Sequence, residues 1–383
     1  MTETLSLSPD VLDWAASQSG GSLEGIARSI SKSAPGKIIA GTLTPSQAIK
    51  FAAAAKVPFG YLFLMAPPAP RVRPELVDFR TINSSSTPLS RDFFDVYDDV
   101  KFKQVWYRDF LEKEGAEPLH FVGQGRKQSL NPMQVAEEIR QVLRLDRIAM
   151  GKASTAEELF SYLSARVEAA GILVFKNGIV GNNTSRPLSV SEFRGFAISD
   201  PIAPVVFVNG KDAPAAWMFT LMHEVAHIWQ GDIGVSDAAT ASHNGDERFC
   251  NAVAAEMLVP SSDFAKMWAS VEGTATARLN ELRRHFKVSL LVLVRRALDF
   301  GYVDESLYRE IYLTSQKSGS KGDDGGGGNF YATLAVRNSR KLAKRVASLA
   351  TSGNISLREA GQLLNTNPNN VVTFYAKQRA LPA

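Results

Sequence analysis

Residues 217–229, Trp-Met-Phe-Thr-Leu-Met-His-Glu-Val-Ala-His-Ile-Trp, restrict this chain more than any other stretch. They are apolar on nearly every side of a helix, so the helix is predicted to be buried, yet two histidines and a carboxylate stand in its middle. Residues four apart lie one above the other on a helix face. His223 and His227 can therefore aim their imidazoles at one ion, and the spacing predicts a zinc-binding pair. Glu224 is turned by about 100° from His223, which suits a general base rather than a third ligand of the same face. Two solvated histidines on a surface helix would not need these flanks. Buried ones, with a buried glutamate, need partners, and a metal serves all three.

Catalytic zinc takes three protein ligands and keeps a fourth position open, so one ligand must come from elsewhere. After a polar loop, 231–245, the chain reads Asp246-Glu247-Arg-Phe-Cys250-Asn251-Ala-Val-Ala-Ala-Glu256-Met-Leu-Val-Pro260. This predicts a second helix that stops at the proline. Glu247, in its first turn, is the expected third ligand. Asn251 follows one turn later, placed to hydrogen-bond that carboxylate and orient it. Glu256, nine residues on, faces the other way. His243 in the loop is the rival ligand, although a loop positions a ligand less well than a helix does.

A bare H-E-x-x-H is only a hypothesis, but here it has company. His223-Glu-Val-Ala-His227, preceded by Phe219-Thr-Leu-Met222 and followed by Glu247-x-x-Cys250-Asn251-x-x-Ala-Ala-Glu256-Met-Leu-Val-Pro260, resembles the ImmA/IrrE family of bacterial metallopeptidases. Arg194 to Asp200, with Pro204 to Asn209, is similar to that family's lead-in, and the likeness covers about residues 155–300. It implies that Glu247 is the third zinc ligand. It also implies a zincin-like endopeptidase whose relatives cleave, or otherwise relieve, a transcriptional repressor. A second expectation belongs to another class: a regulator or antitoxin that holds a partner, toxin or repressor, with little or no proteolysis.

The expected fold is mainly helical α+β, with a small sheet in the zincin-like domain at 155–313. Thr155-Ala-Glu-Glu158 reads as a capping box launching a helix to about Ala170. Strands follow at 172–175, 193–199 and 205–208, the last a candidate edge for pairing with an extended substrate. His243, Arg194 and Tyr302 are candidates for steadying the oxyanion, each with a plainer structural or exposed reading.

Residues 1–66 read as short helices capped at Ser22 and Thr44, and resemble the helix-turn-helix domain of phage-type, XRE-like repressors. The segment that should read DNA, 33–41, carries a proline, two glycines and one lysine, and basic and acidic groups nearly cancel across the domain. DNA binding therefore stands against a docking or dimerising role. Residues 67–154 read as a Pro-rich link, with Val77 to Thr81 again similar to long family members, followed by helices. There Lys101, Lys103, Tyr107 and Arg108 form either a basic-aromatic patch or, as composition favours, a solvated helix face. A Gly/Ser-rich linker, 314–328, leads to a helical, locally basic end, 329–383. Its Ser356–Leu364 looks like the first helix of a helix-turn-helix. That basic character serves either solubility or contact with acidic protein or nucleic acid.

With 383 residues the chain can bury two or three cores. A net charge of +4 announces no nucleic acid by itself. A single cysteine, Cys250, excludes an internal disulfide framework and points to a reducing compartment; beside apolar neighbours it reads as a small core residue. Without a leader pattern or a long apolar run, the expected place is the cytoplasm, away from membranes.

Overall fold

The computed structural model describes residues 4–19, 21–55, 57–68, 77–78, 89–231, 234–236, 245–318 and 329–379. His243, Phe79 to Thr81 and most of the Gly-rich run lie outside them. The chain divides into two compact units, Met1–Pro74 with Thr87–Asp95, and Glu75–Ser86 with Val96–Ala383.

In the first unit β1 (Leu5–Ser6) is followed by α1 (Pro9–Gln18), α2 (Leu23–Ile30), α3 (Pro35–Ile39), β2 (Thr42–Leu43) and α4 (Pro45–Ala54). The two strands pair antiparallel. Ser22 caps α2, and Thr44 exchanges both bonds of a capping box with Gln47. Leu12, Ala15, Ile38, Phe51 and Leu62 are fully buried between them. Gly41 (φ +85°) is obligatory, because a Cβ there would lie 2.1 Å from the Leu7 carbonyl oxygen. The segment 33–41, expected as a recognition helix, forms only the five-residue α3.

The second unit is built on a five-stranded sheet. Its strands are β3 (Val77–Asp78), β4 (Leu173–Asn177), β7 (Gly195–Ile198), β8 (Val205–Asn209) and β9 (Gly234–Ser236), in the order β3-β9-β7-β8-β4; β5 (Ile179–Val180) and β6 (Asn183–Pro187) form a separate ribbon. β8 runs parallel to β4 and antiparallel to β7. The expectation that β8 is an edge open to substrate is thus wrong. All five of its residues are buried, the continuous apolar run of an interior strand.

Helices cover this sheet. α5 (Arg91–Lys113) enters the second unit at Val96, and α6 (Gln124–Lys127), α7 (Pro132–Leu143), α8 (Arg147–Lys152) and α9 (Ala156–Ala169) follow. Thr155 caps α9 by accepting from the Glu158 N–H, while the Glu158 carboxylate accepts from Ser154 rather than closing the box. α10 (Pro214–Gln230) and α11 (Gly245–Leu258) carry the candidate site. α12 (Ser261–Ser270), α13 (Ala275–Phe286), α14 (Leu290–Asp299) and α15 (Glu305–Ser318) complete the layer, before α16 (Phe330–Arg337), α17 (Arg340–Thr351), α18 (Leu357–Leu363) and α19 (Pro368–Arg379). No helix among the described residues is long and apolar enough to cross a membrane.

The solvated face expected on α5 is another correction. Lys103 and Tyr107 are 1% and 3% exposed, on a stripe with Val96, Tyr97 and Val100. The Lys103 ammonium donates to Asp99 at 2.5 Å and to Asn338 Oδ1 at 2.8 Å. Asn338 comes from the α16–α17 junction. The C-terminal helices also dock through Ser339 and Lys341 on Glu168 and through Trp106 on Glu359. Burial of Lys103 is thus compensated by partners remote in sequence, which no local charge pattern reveals.

Candidate metal centre

Two helices make the site. α10 begins with Pro214 in its first turn and ends at Gly231, whose left-handed backbone (φ +80°) closes the last turn. From Met218 to Gln230 every residue is buried. Phe121 stacks on Trp229 with ring centroids 4.3 Å apart, which packs the last turn of the helix against the segment before α6. α11 is anchored at its far end by Glu256. The carboxylate of Glu256 takes Arg296 at 2.8 Å and Ser261, while Arg296 also donates to the Val259 carbonyl. Glu256 therefore secures the helix stop at Pro260 and plays no part in the site, as its position nine residues from Glu247 requires.

His223, His227 and Glu247 converge. The two Nε2 atoms stand 3.1 Å apart, and the Glu247 carboxylate lies 3.2 Å from His223 Nε2 and 3.1 Å from His227 Nε2. His223 and Glu247 are fully buried and His227 is 2% exposed. Each oxygen of the Glu247 carboxylate faces one imidazole, Oε2 toward His223 and Oε1 toward His227, and with one ligand atom from each residue the group lies within 4.8 Å, close enough for all three side chains to reach one ion at about 2.0–2.1 Å. The donor set fits too: two imidazoles and a carboxylate suit a borderline divalent cation. Burial acts to raise the Glu247 carboxyl, but the charge and hydrogen bonds of His223, then of His227, outweigh it and hold it at about 2. The group is a carboxylate at neutral pH, ready to ligate.

Glu224 is completely buried between α10 and the sheet. Its neighbour there escaped the sequence reading: Gly195 on β7. A Cβ on Gly195 would lie 2.7 Å from Glu224 Oε1, 2.6 Å from Thr220 Cγ2 and 2.8 Å from the Phe207 carbonyl oxygen. Only a glycine lets strand and helix approach so closely. The signal was present, since a glycine inside an apolar strand marks close backbone approach.

Asn251 stands one turn beyond Glu247 on α11, half-buried. Cys250 is fully buried, consistent with a core role. Of the oxyanion candidates, Arg194 is engaged by Asp212 at 3.2 Å, and Tyr302 stacks on Trp268 with centroids 5.2 Å apart. Both keep their structural reading. His243 lies outside the described residues; among the described residues the converging group is His223, His227 and Glu247.

Comparison with known proteins agrees with this geometry. No curated protein matches the chain. Residues 338–377 match a domain of unknown function, DUF8813. Residues 167–298 match the peptidase M78 family, described as the IrrE N-terminal-like domain. The stretch that supplies all three converging side chains therefore matches an IrrE N-terminal-like domain, in line with the ImmA/IrrE likeness of the sequence.

Proposed function

We propose that the protein is a zinc-dependent endopeptidase that hydrolyses a peptide bond in a regulatory protein such as a transcriptional repressor. The observation that carries this is the convergence of His223, His227 and Glu247, whose ligand atoms lie within 4.8 Å of one another, one residue from a buried Glu224. The three side chains would hold the ion, and Asn251 would orient Glu247. Zinc, when bound, supplies Lewis acidity that polarises the scissile carbonyl and lowers the pKa of an attacking water. Glu224 accepts a proton from that water as the new C–O bond forms, then delivers it to the departing amine nitrogen as the C–N bond breaks. Burial keeps Glu224 away from bulk solvent, and the close approach of Gly195 fixes its height above the sheet. A purely structural metal site would need no glutamate there, which favours hydrolysis over mere holding of a partner.

The test is to express the wild type and Glu224→Gln beside the genes that flank it and to compare partner proteins by intact mass. Cleavage by the wild type alone, with metal content equal in both, is the expected result. A partner bound whole by both forms would make the domain a binding module, the regulator or antitoxin alternative. Proteolysis retained by Glu224→Gln would remove the general-base role.

A further inference from the structure

The C-terminal helices carry a feature that peptide hydrolysis does not use. Residues 329–379 contain eight lysines and arginines but one acidic residue, Glu359, and Glu359 is turned inward to accept from Trp106 Nε1. Arg337, Arg340 and Lys341 are engaged by Asn182, Ser161 and Glu168, which leaves Lys344, Arg345, Arg358, Lys377 and Arg379 exposed, and no exposed carboxylate of residues 329–379 stands among them.

The geometry of its last two helices is specific. α18 and α19 are joined by four residues, 364–367. Asn365 takes a left-handed conformation (φ 50°), and the Thr366 N–H donates to the Gly361 carbonyl at 2.8 Å. A Cβ on Gly361 would lie 2.7 Å from the Thr366 carbonyl oxygen, so the tight return requires glycine. Ala360, Leu363, Leu364, Val371 and Phe374 are fully buried and lock the second helix onto the first. That is a helix-turn-helix built with its own core.

On the opposite side of α19, Asn369, Val372, Thr373, Ala376 and Lys377 are all exposed. They recur at i, i+3, i+4, i+7 and i+8, one continuous stripe. The stripe holds an amide that can pair with an adenine edge, a hydroxyl, and small apolar groups that suit a thymine methyl. Beside its N-terminal end lies a cleft of about 620 Å³ lined by Asn182 of the β5–β6 ribbon and by Arg358, Gln362, Asn365 and Asn367. No acidic residue lines it. Asn182 is fixed there by the Asn365 carbonyl oxygen and by Arg337. Amides and a guanidinium at the entry of a helix are donors for a phosphate backbone.

We propose that α18 and α19 bind double-stranded DNA, with the exposed stripe of α19 in the major groove and the Arg358 cleft on the flanking phosphates. The inference stands independently of metal binding and of proteolysis. It assigns a nucleic-acid contact to the end of the chain rather than to the helix-turn-helix-like beginning.

The full chain is titrated into a fluorescent duplex of about three helical turns across a range of salt concentrations. Wild type should bind with salt-dependent affinity. Arg358→Glu with Arg379→Glu, both exposed positions, should weaken binding at least about tenfold and make the log–log salt slope shallower by about 2, at 0.9 per phosphate contact. Far-UV circular dichroism and unfolding midpoint establish that this variant is folded, and the milder Arg358→Gln with Arg379→Gln should move in the same direction. Asn369→Ala with Thr373→Ala should keep the salt-dependent binding but lose the sequence preference found by selection from random duplexes. No binding by wild type at low salt overturns the proposal, as does unchanged binding by the charge-reversed variant. Polyglutamate binding as tight as the duplex, lost equally in that variant, would make the surface a site for acidic protein and would also overturn it.

Discussion

Gly195 and Glu224 meet across the strand–helix interface so closely that a methyl group on one would stand 2.7 Å from the carboxylate oxygen of the other. The position of Glu224, the proposed general base, is thus set by the absence of a side chain on β7. Gly195→Ala should retain the three converging ligands, and hence metal, but displace Glu224. A misplacement on the order of 1 Å costs about a hundredfold in rate, so kcat should fall by about that factor. Metal content by mass spectrometry and kcat on the identified substrate are the two readouts. Thr220→Ser in the same background removes the second clash, with Cγ2, and should not restore activity. Full recovery would show that the helix, rather than Glu224, had been pushed.

Removing a ligand should act on metal and stability together. His223→Ala or Glu247→Ala should purify with metal well below one equivalent. Because bound metal stabilises the folded state alone, chelation should lower the unfolding temperature of the wild type and leave that of the variants unchanged. An equal drop in both would mean that these side chains do not hold the ion.

Lys103 tests the docking of the C-terminal helices. Burial pushes its pKa down, while the charge and hydrogen bond of Asp99 oppose that fall. Lys103→Met fills the space but strands the Asn338 Oδ1 it satisfied, and should cost about 1–3 kcal/mol. Urea unfolding measures the loss, which should shrink when Asn338 is replaced by leucine in the same background.

Lys176 gives a pH signature. Burial, then the charge of Arg340, lowers it to about 8, against a weaker pull from Glu157. An unfolded chain keeps this proton to about 10.4. Between these values the unfolded state binds more protons, so stability should rise with pH from about 8 to about 10.4, and the group contributes no slope below 8. Its ammonium lies 3.4 Å from the Trp217 ring centroid, a contact that favours the charged form and shifts the start of the rise upward. Lys176→Met should flatten the rise, and Trp217→Leu should start it at lower pH, both read from unfolding midpoints across the range.

Much of the site was legible because its chemistry is local. The i, i+4 histidines and the apolar flanks that bury them fall within a dozen residues, and the carboxylate in the first turn of the next helix follows 20 residues after His227. The caps at Ser22, Thr44 and Thr155 were readable for the same reason. What the pattern could not carry was order in space. The run 205–209 specifies a strand, but only pairing with both β4 and β7 makes it interior. Lys103 reads as solvent-facing until Asn338 is placed against it. Gly195 advertised a close approach without saying to what.

Asn338 lies 235 residues after Lys103. During synthesis α5 emerges early, with its ammonium committed to a stripe of buried side chains while its distant acceptor has yet to be made. The sheet strands and Asp99 are all made before residue 338, so this buried ammonium gains its second acceptor only after they are in place. Completion of the second unit therefore waits for α16 and its junction with α17, and a polypeptide cut off before α16 would keep His223, His227 and Glu247 while its long helix α5 stayed one partner short.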